Sequence, residues 1–184
     1  MRLFFALVNF EVSHSYTTVM KPNEAFTTVE DMFSNHRSKL LGFCLRLVGS
    51  KEVAEELVQD VFLKACSEEM TQFSKSWLYS CARRRCIDYL RRRSVWDRVK
   101  TRLWNTGNSN VVEEQILERS LGMSVLRKLP EKMRMALLLR SYVGLGYGEL
   151  AEVLEIKESS VKVLLSRARK KACQFLDEEQ EYET

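Results

Sequence analysis

The side chains with the most chemistry to offer are arginines. Arg83, Arg84 and Arg85, then Arg91, Arg92 and Arg93, stand in two triplets within Trp77 to Trp104, a stretch with nine Lys/Arg against Asp88 and Asp97. Guanidinium groups crowded in this way hold polyanions, phosphates above all. Phe73, Trp77, Tyr79, Tyr89 and Trp96 lie among or beside them, and an aromatic face stacks on an unpaired base. The combination suits a partly melted or single strand better than intact duplex. Core packing accounts more simply for Trp77, which leaves Phe73 and Tyr79 as the aromatic candidates. A second basic block, Lys157 to Cys173, has six Lys/Arg and one acid. Either block alone has the composition of a solvated helix face.

Acidic segments separate and follow these blocks. Lys51 to Gln72 carries six acids against two lysines, and the segment from Asp177 has five acids and no base. An acidic helix cannot hold phosphates. It fits a basic protein surface, or simply solvent. Enzymatic chemistry finds no footing. There is no phosphate-binding glycine loop, and the only histidines are His14 and His36. No pair among Cys44, Cys66, Cys81, Cys86 and Cys173 has metal-knuckle spacing, so no metal site or cofactor is expected and the thiols read as reduced. The apolar run Met1 to Val8 is too short to span a bilayer and lacks the features of a signal peptide, and Met20 is an alternative start.

The elements that must carry these groups are helical. Seven Gly and two Pro in 184 residues are too few for the turns of a sheet protein. Apolar residues at three- and four-residue steps predict helices over Thr27 to Val48, ended by Gly49-Ser50, and over Lys51 to Ser67. A polar loop, Ser67 to Ser76, leads to a third helix, Trp77 to Arg93, with Trp77, Leu78, Cys81, Ile87 and Leu90 inward. Periodicity then fades to about Val112, and Asn105 to Asn110 is the strongest linker signal. Helices resume at Glu113, restart at Leu129-Pro130-Glu131, and run from Glu131 to Val143 and from Tyr147 to Leu154. Glu155-Ile156-Lys157 forms a tight turn before a basic helix from Glu158 to about Leu176.

The last two helices have the grammar of a helix-turn-helix. Leu150, Ala151 and Leu154 face inward on the first, and Val161, Leu164 or Leu165, and Ala168 on the second. In such a unit the second helix enters the major groove, its N-terminal residues meeting base edges and its later basic residues meeting phosphates. Glu158, Ser159, Ser160 and Lys162 are the base-edge candidates. Arg167, Arg169, Lys170 and Lys171 are the phosphate candidates.

Ala54-Glu55-Glu56-Leu57-Val58-Gln59-Asp60-Val61-Phe62-Leu63-Lys64-Ala65 resembles the core-polymerase-binding helix of bacterial RNA polymerase sigma factors. Trp77-Leu78-Tyr79, Ala82-Arg83 and Ile87-Asp88-Tyr89-Leu90-Arg91-Arg92-Arg93 resemble their −10-reading helix. Leu129-Pro130-Glu131-Lys132, Leu137 to Arg140, Gly144-Leu145-Gly146-Tyr147, Ser160-Val161-Lys162 and Leu165 to Arg169 are similar to their −35-reading domain. The two blocks cover roughly residues 26 to 176 in the family's order. A form with these two domains only is that of the extracytoplasmic-function (ECF) subfamily of the sigma-70 family.

The resemblance implies an all-α protein of two small helical domains: an N-terminal extension, 1–25; a sigma domain two-like bundle, 26–95; a flexible linker, 96–112; a helix-turn-helix domain four, 113–176; and an acidic tail, 177–184. It implies core polymerase contacts from Glu56, Val58, Gln59, Asp60 and Phe62. Contacts to −10 DNA fall to Phe73, Tyr79, Arg83, Arg84, Asp88, Arg91 and Arg92, and contacts to −35 DNA to Glu158, Ser159, Ser160, Lys162, Arg167, Arg169 and Lys170. Implied partners are core RNA polymerase, promoter DNA and an anti-sigma factor, with no small-molecule substrate. The implied location is cytoplasmic, or at the membrane through an anti-sigma partner. Several residues depart from the family pattern: Arg84 stands for a usual Asn, Cys66 for a Trp, Glu155 for the turn Gly, Lys157 for a capping Ser and Leu164 for an Arg. The eroded turn motivates a second reading, a co-sigma or decoy acting through protein partners. A third is a free-standing helix-turn-helix regulator, which leaves the acidic helix unexplained.

Overall fold

The structure, a computed structural model, describes residues 25–26, 28–68, 73–103 and 121–182. The N-terminal extension, the loop tip, the linker turn Asn105 to Asn110 and the helix start at Glu113 lie outside the described residues. The chain divides into two compact units, one built on Phe26–Phe73 and Trp77–Leu117, the other on Glu118–Thr184. Both are helical, apart from a two-residue pairing of β1 (Ala25–Phe26) with β2 (Phe73–Ser74).

In the first unit, α1 (Val29–Val48) starts where Thr28, in extended conformation, accepts a hydrogen bond from the Asp31 N–H at 3.1 Å. It stops at Gly49, whose φ of 81° is open to glycine at no steric cost and whose N–H reaches the Leu45 carbonyl. Ser50 then caps α2 (Lys51–Ser67), accepting from the Val53 N–H and donating to the Glu52 carboxylate at 2.9 Å. Backbone N–H groups at this helix start, with the Ser50 hydroxyl, hold the exposed Glu52 carboxyl below the usual carboxylate range. Ala54, Leu57, Val58, Val61, Phe62 and Ala65 form its buried stripe, against Met32, Leu40, Phe43, Cys44 and Leu47 of α1.

The third helix, α3 (Lys75–Leu103), is ten residues longer at its C-terminal end than the sequence suggests. Beyond Arg93 the chain keeps a helical backbone. All six residues Arg91–Trp96 are exposed, so the helix continues there without burying a side chain. The linker expected from residue 96 is therefore helix as far as Leu103. The inward stripe of α3 is Leu78, Tyr79, Ala82 and Cys86, with Cys81 and Ile87 beside it, while Trp77 and Leu90 are half-buried. Cys44 and Cys86 meet in this core, and both are fully buried and reduced. A hydrogen bond between the Cys86 and Cys44 thiols, together with burial, pushes the Cys86 thiol up. Burial does the same to Cys81.

The second unit comprises α4 (Leu121–Lys128), α5 (Glu131–Leu137), a π-helical segment (Leu138–Val143), α6 (Tyr147–Leu154) and α7 (Glu158–Tyr182). Arg134 secures the α4–α5 junction. It donates to the carbonyls of Arg127 and Leu129, and burial lowers its affinity for its proton. The expected single helix Glu131 to Val143 changes geometry at Leu138 and closes on Gly144, whose φ is 86°. The basic helix runs through the expected acidic tail to Tyr182.

The turn between α6 and α7 has a left-handed residue, Glu155 (φ 55°, ψ 48°), where the family's glycine would stand. The Ile156 N–H reaches back to the Ala151 carbonyl at 3.0 Å, so the turn geometry survives the substitution. A side chain in this conformation costs about 1 kcal/mol. Glu155→Gly should therefore stabilise the second domain by about 0.5 kcal/mol after glycine's extra unfolded-state entropy is counted. Urea denaturation followed by circular dichroism checks this, and an unchanged or lower stability contradicts it.

The raised thiols give a pH dependence of definite sign. Below about pH 8.5 the thiols are neutral in both states and contribute nothing. Above it the unfolded chain loses thiol protons that the folded chain keeps, so stability falls as pH rises, by up to about 1.4 kcal/mol per pH unit per thiol. Melts between pH 7 and 10 should show a shallower decline in Cys86→Ala than in the native chain. Identical slopes would contradict the buried, proton-retaining thiol.

Candidate nucleic-acid interfaces and the acidic docking helix

The rotation of α7 is set by what it buries. Val161, Leu165, Ala168 and Ala172 are fully or almost fully buried at four- and three-residue steps, against α4, α5 and α6. The small residues let the neighbouring helices approach. This settles the sequence ambiguity in favour of Leu165, since Leu164 is half-buried. The opposite stripe is exposed: Ser159, Lys162, Val163, Ser166, Arg167 and Lys170. Glu158 and Ser160 are also exposed at the first turn, where the Ser160 N–H donates to the Lys157 carbonyl. Arg169 is half-buried and lies off the outward stripe. Sequence reading passed over Val163, which is 49% exposed at the centre of this polar face. The signal for it was available, because it follows Ser159 by four residues and precedes Arg167 by four.

On α3 the exposed residues Arg84, Asp88, Arg91, Arg92 and Val95 recur at three- and four-residue steps along one face. Arg92 Nε donates to the Asp88 carbonyl at 3.3 Å, and Arg83 is half-buried. The aromatic residues are arranged differently from expectation. Tyr79 has no exposed surface and stands edge-on to Phe43 (5.6 Å between centroids) and to His36 (6.5 Å). Phe73 is also buried, tilted against Trp77 at 5.2 Å. In this conformation both are packing groups rather than stacking platforms, and the exposed aromatic on α3 is Trp96, at 72%. A 3.6-residue period running through Leu78, Ala82 and Cys86 brings Tyr79 inward with them.

The acidic helix α2 presents Glu56 and Gln59 to solvent. Asp60 is half-exposed and pairs with Arg85 of α3 at 3.6 Å, an ion pair worth no more than about 1 kcal/mol at this exposure. Val58 and Phe62, expected as protruding anchors, are buried instead, with Phe62 edge-on to Phe33 of α1 at 4.8 Å. The protruding apolar groups are Phe33 (43% exposed) and Leu63 (59%). They border a groove of about 700 Å³ between α1 and α2, which Glu30, Glu55 and one cation, Arg37, also line. An apolar groove with acidic lining matches a basic, partly apolar helix. Among the described residues no three His, Cys, Asp or Glu come together to hold a metal ion, and no helix is long and apolar enough to cross a membrane.

A helical bundle with an arginine-lined helix, followed by a helix-turn-helix with an outward basic stripe, defines a two-domain nucleic-acid-reading protein. Comparison with known proteins gives that class a family. Residues 32–95 match sigma-70 region 2 and residues 123–171 match sigma-70 region 4, together more than half of the chain. RNA polymerase sigma factor YlaC of Bacillus subtilis is 29% identical over 153 residues, 77% of this chain and 88% of its own. ECF RNA polymerase sigma factor SigM of the same species is 26% identical, over 78% and 92%. The fold is that of the sigma factor RpoE of Bartonella quintana, solved with the anti-sigma factor NepR (TM-score 0.61, 24% identity, 80% of this chain and 98% of that one). It is also that of CnrH, solved with the cytosolic domain of CnrY (TM-score 0.59, 21% identity, 81% and 87%). The chain belongs to the sigma-70 family, ECF subfamily, and is an RNA polymerase sigma factor directing promoter-specific transcription.

Proposed function

We propose that the chain divides its work among three surfaces. The outward stripe of α7 reads the −35 element, and this stripe is the observation that carries the reading. Ser159, Ser160, Lys162 and Val163 face base edges, while Arg167 and Lys170 hold phosphates. The exposed Val163 methyls suit a thymine methyl, the apolar mark of the major groove. Arg84, Arg91 and Arg92 of α3 hold the −10 strand. The acidic helix α2, with Glu56, Gln59 and Asp60, docks on core polymerase, and the Phe33–Leu63 groove beside it receives apolar side chains of the same partner. The protein acts by binding, without catalysis or cofactor, in the compartment of the polymerase. An anti-sigma factor of the kind bound to RpoE and CnrH is its restraining partner. The turn at Glu155 keeps a helix-turn-helix geometry, which favours a DNA reader over a decoy.

Two experiments test the division. Asp60→Arg breaks only a half-exposed ion pair, so the fold should persist while co-purification with core polymerase is lost. Undiminished co-purification contradicts the docking face. In promoter binding by the reconstituted holoenzyme, Arg91→Ala or Arg92→Ala should weaken all promoters alike and flatten the salt dependence, because one fewer phosphate is neutralised. Val163→Ser should instead lower preference at a single −35 position, by about fivefold or more. A uniform loss across −35 variants contradicts base reading by Val163.

A further inference from the structure

Tyr147, the first residue of α6, has two cations against its ring. The Arg140 guanidinium carbon lies 4.9 Å from the centroid and the Lys162 ammonium 5.7 Å, both within the range at which an aromatic quadrupole attracts a cation. The three residues come from three elements: the π-helical segment, α6 and α7. Arg140 is anchored independently. Its Nη1 donates to the Leu145 carbonyl at 2.6 Å, across the turn that Gly144 closes, and the Leu145 N–H in turn reaches the Leu139 carbonyl. One of the two cations is thus tied to the backbone.

Lys162 is the second cation. It is exposed on the outward stripe of α7 and makes no ion pair among the described residues. A lysine left to itself on such a face samples many rotamers and loses that freedom on binding. Contact with an aromatic face restricts the chain yet leaves the ammonium N–H donors directed away from the ring available, so the same group can hold a base or phosphate oxygen while it rests on the ring.

We propose that Tyr147 is a positioning residue for the −35 contact. Its ring, steadied by Arg140, orients the Lys162 ammonium before DNA arrives. This role rests on the reading of α7 as the −35-reading helix and goes beyond it, because it assigns promoter affinity to a side chain on the preceding helix.

The experiment is a double-mutant cycle on the reconstituted holoenzyme with a promoter fragment and its −35 variants. Tyr147→Leu should weaken binding about two- to fivefold, and Tyr147→Phe, which keeps the ring, should match the native chain. In a Lys162→Ala background, Tyr147→Leu should cost nothing further, and both single variants should flatten base preference at the same −35 position. An equal loss from Tyr147→Leu in both backgrounds, or tighter binding, overturns the role of the tyrosine alone. A native holoenzyme with no −35 dependence overturns the reading of α7 and this role with it. A measurement on the unaltered full chain is independent of variant folding: the Lys162 ε-methylene protons should resonate upfield of those of other exposed lysines through the ring current of Tyr147. Their absence from the upfield region overturns the stack.

Discussion

What the second domain offers to a partner follows from one stripe of small and branched side chains on α7. Val161, Leu165, Ala168 and Ala172 bury themselves against three neighbouring helices, the two larger ones contributing on the order of 1.5–3 kcal/mol each. A helix has only one rotation that buries a given stripe. Burying this one turns Lys162, Val163, Ser166, Arg167 and Lys170 outward together. The left-handed turn at Glu155 sets the angle at which the helix leaves α6, and the domain keeps that geometry although the residue there is strained.

The first domain obeys the same rule with different chemistry on its outer faces. Leu78, Tyr79, Ala82 and Cys86 pin α3 against α1, and Arg84, Arg91 and Arg92 are left exposed. The core of α2 leaves its carboxylates outside. Under the proposed function one helix serves phosphates and its neighbour a basic protein surface. The Asp60–Arg85 pair is where these opposite surfaces touch. It is weak enough at half exposure to exchange for an intermolecular partner.

Much of this was legible in the sequence because local signals agreed with tertiary packing. Gly49-Ser50 marks both a helix end and the next cap, and α2 has the bounds its apolar period predicts. The turn at residues 155 to 157 was readable from its place between two periodic segments. What was not legible has physical causes. The extension of α3 past Arg93 carries Val95, Val99 and Leu103 at four-residue steps, a short signal between charged residues that was passed over beside the stronger linker signal of Asn105 to Asn110. The π-helical geometry of Leu138–Val143 lies inside a run of leucines that would be buried in either helix type. Tyr79 and Phe73 carry the same residue types whether they stack on bases or fill a core, and only the three-dimensional neighbours, Phe43 and Trp77, decide. Val58 and Phe62 fell on the buried rather than the presented side of α2 for the same reason, while Phe33 of α1 is exposed beside them.

The most direct test of the account is run-off transcription with the purified chain, sigma-free core polymerase and a library of promoter fragments. The account predicts discrete transcripts that require both proteins and that disappear with Asp60→Arg, although that variant remains folded. Stable binding to core polymerase without any promoter-specific transcript would contradict it.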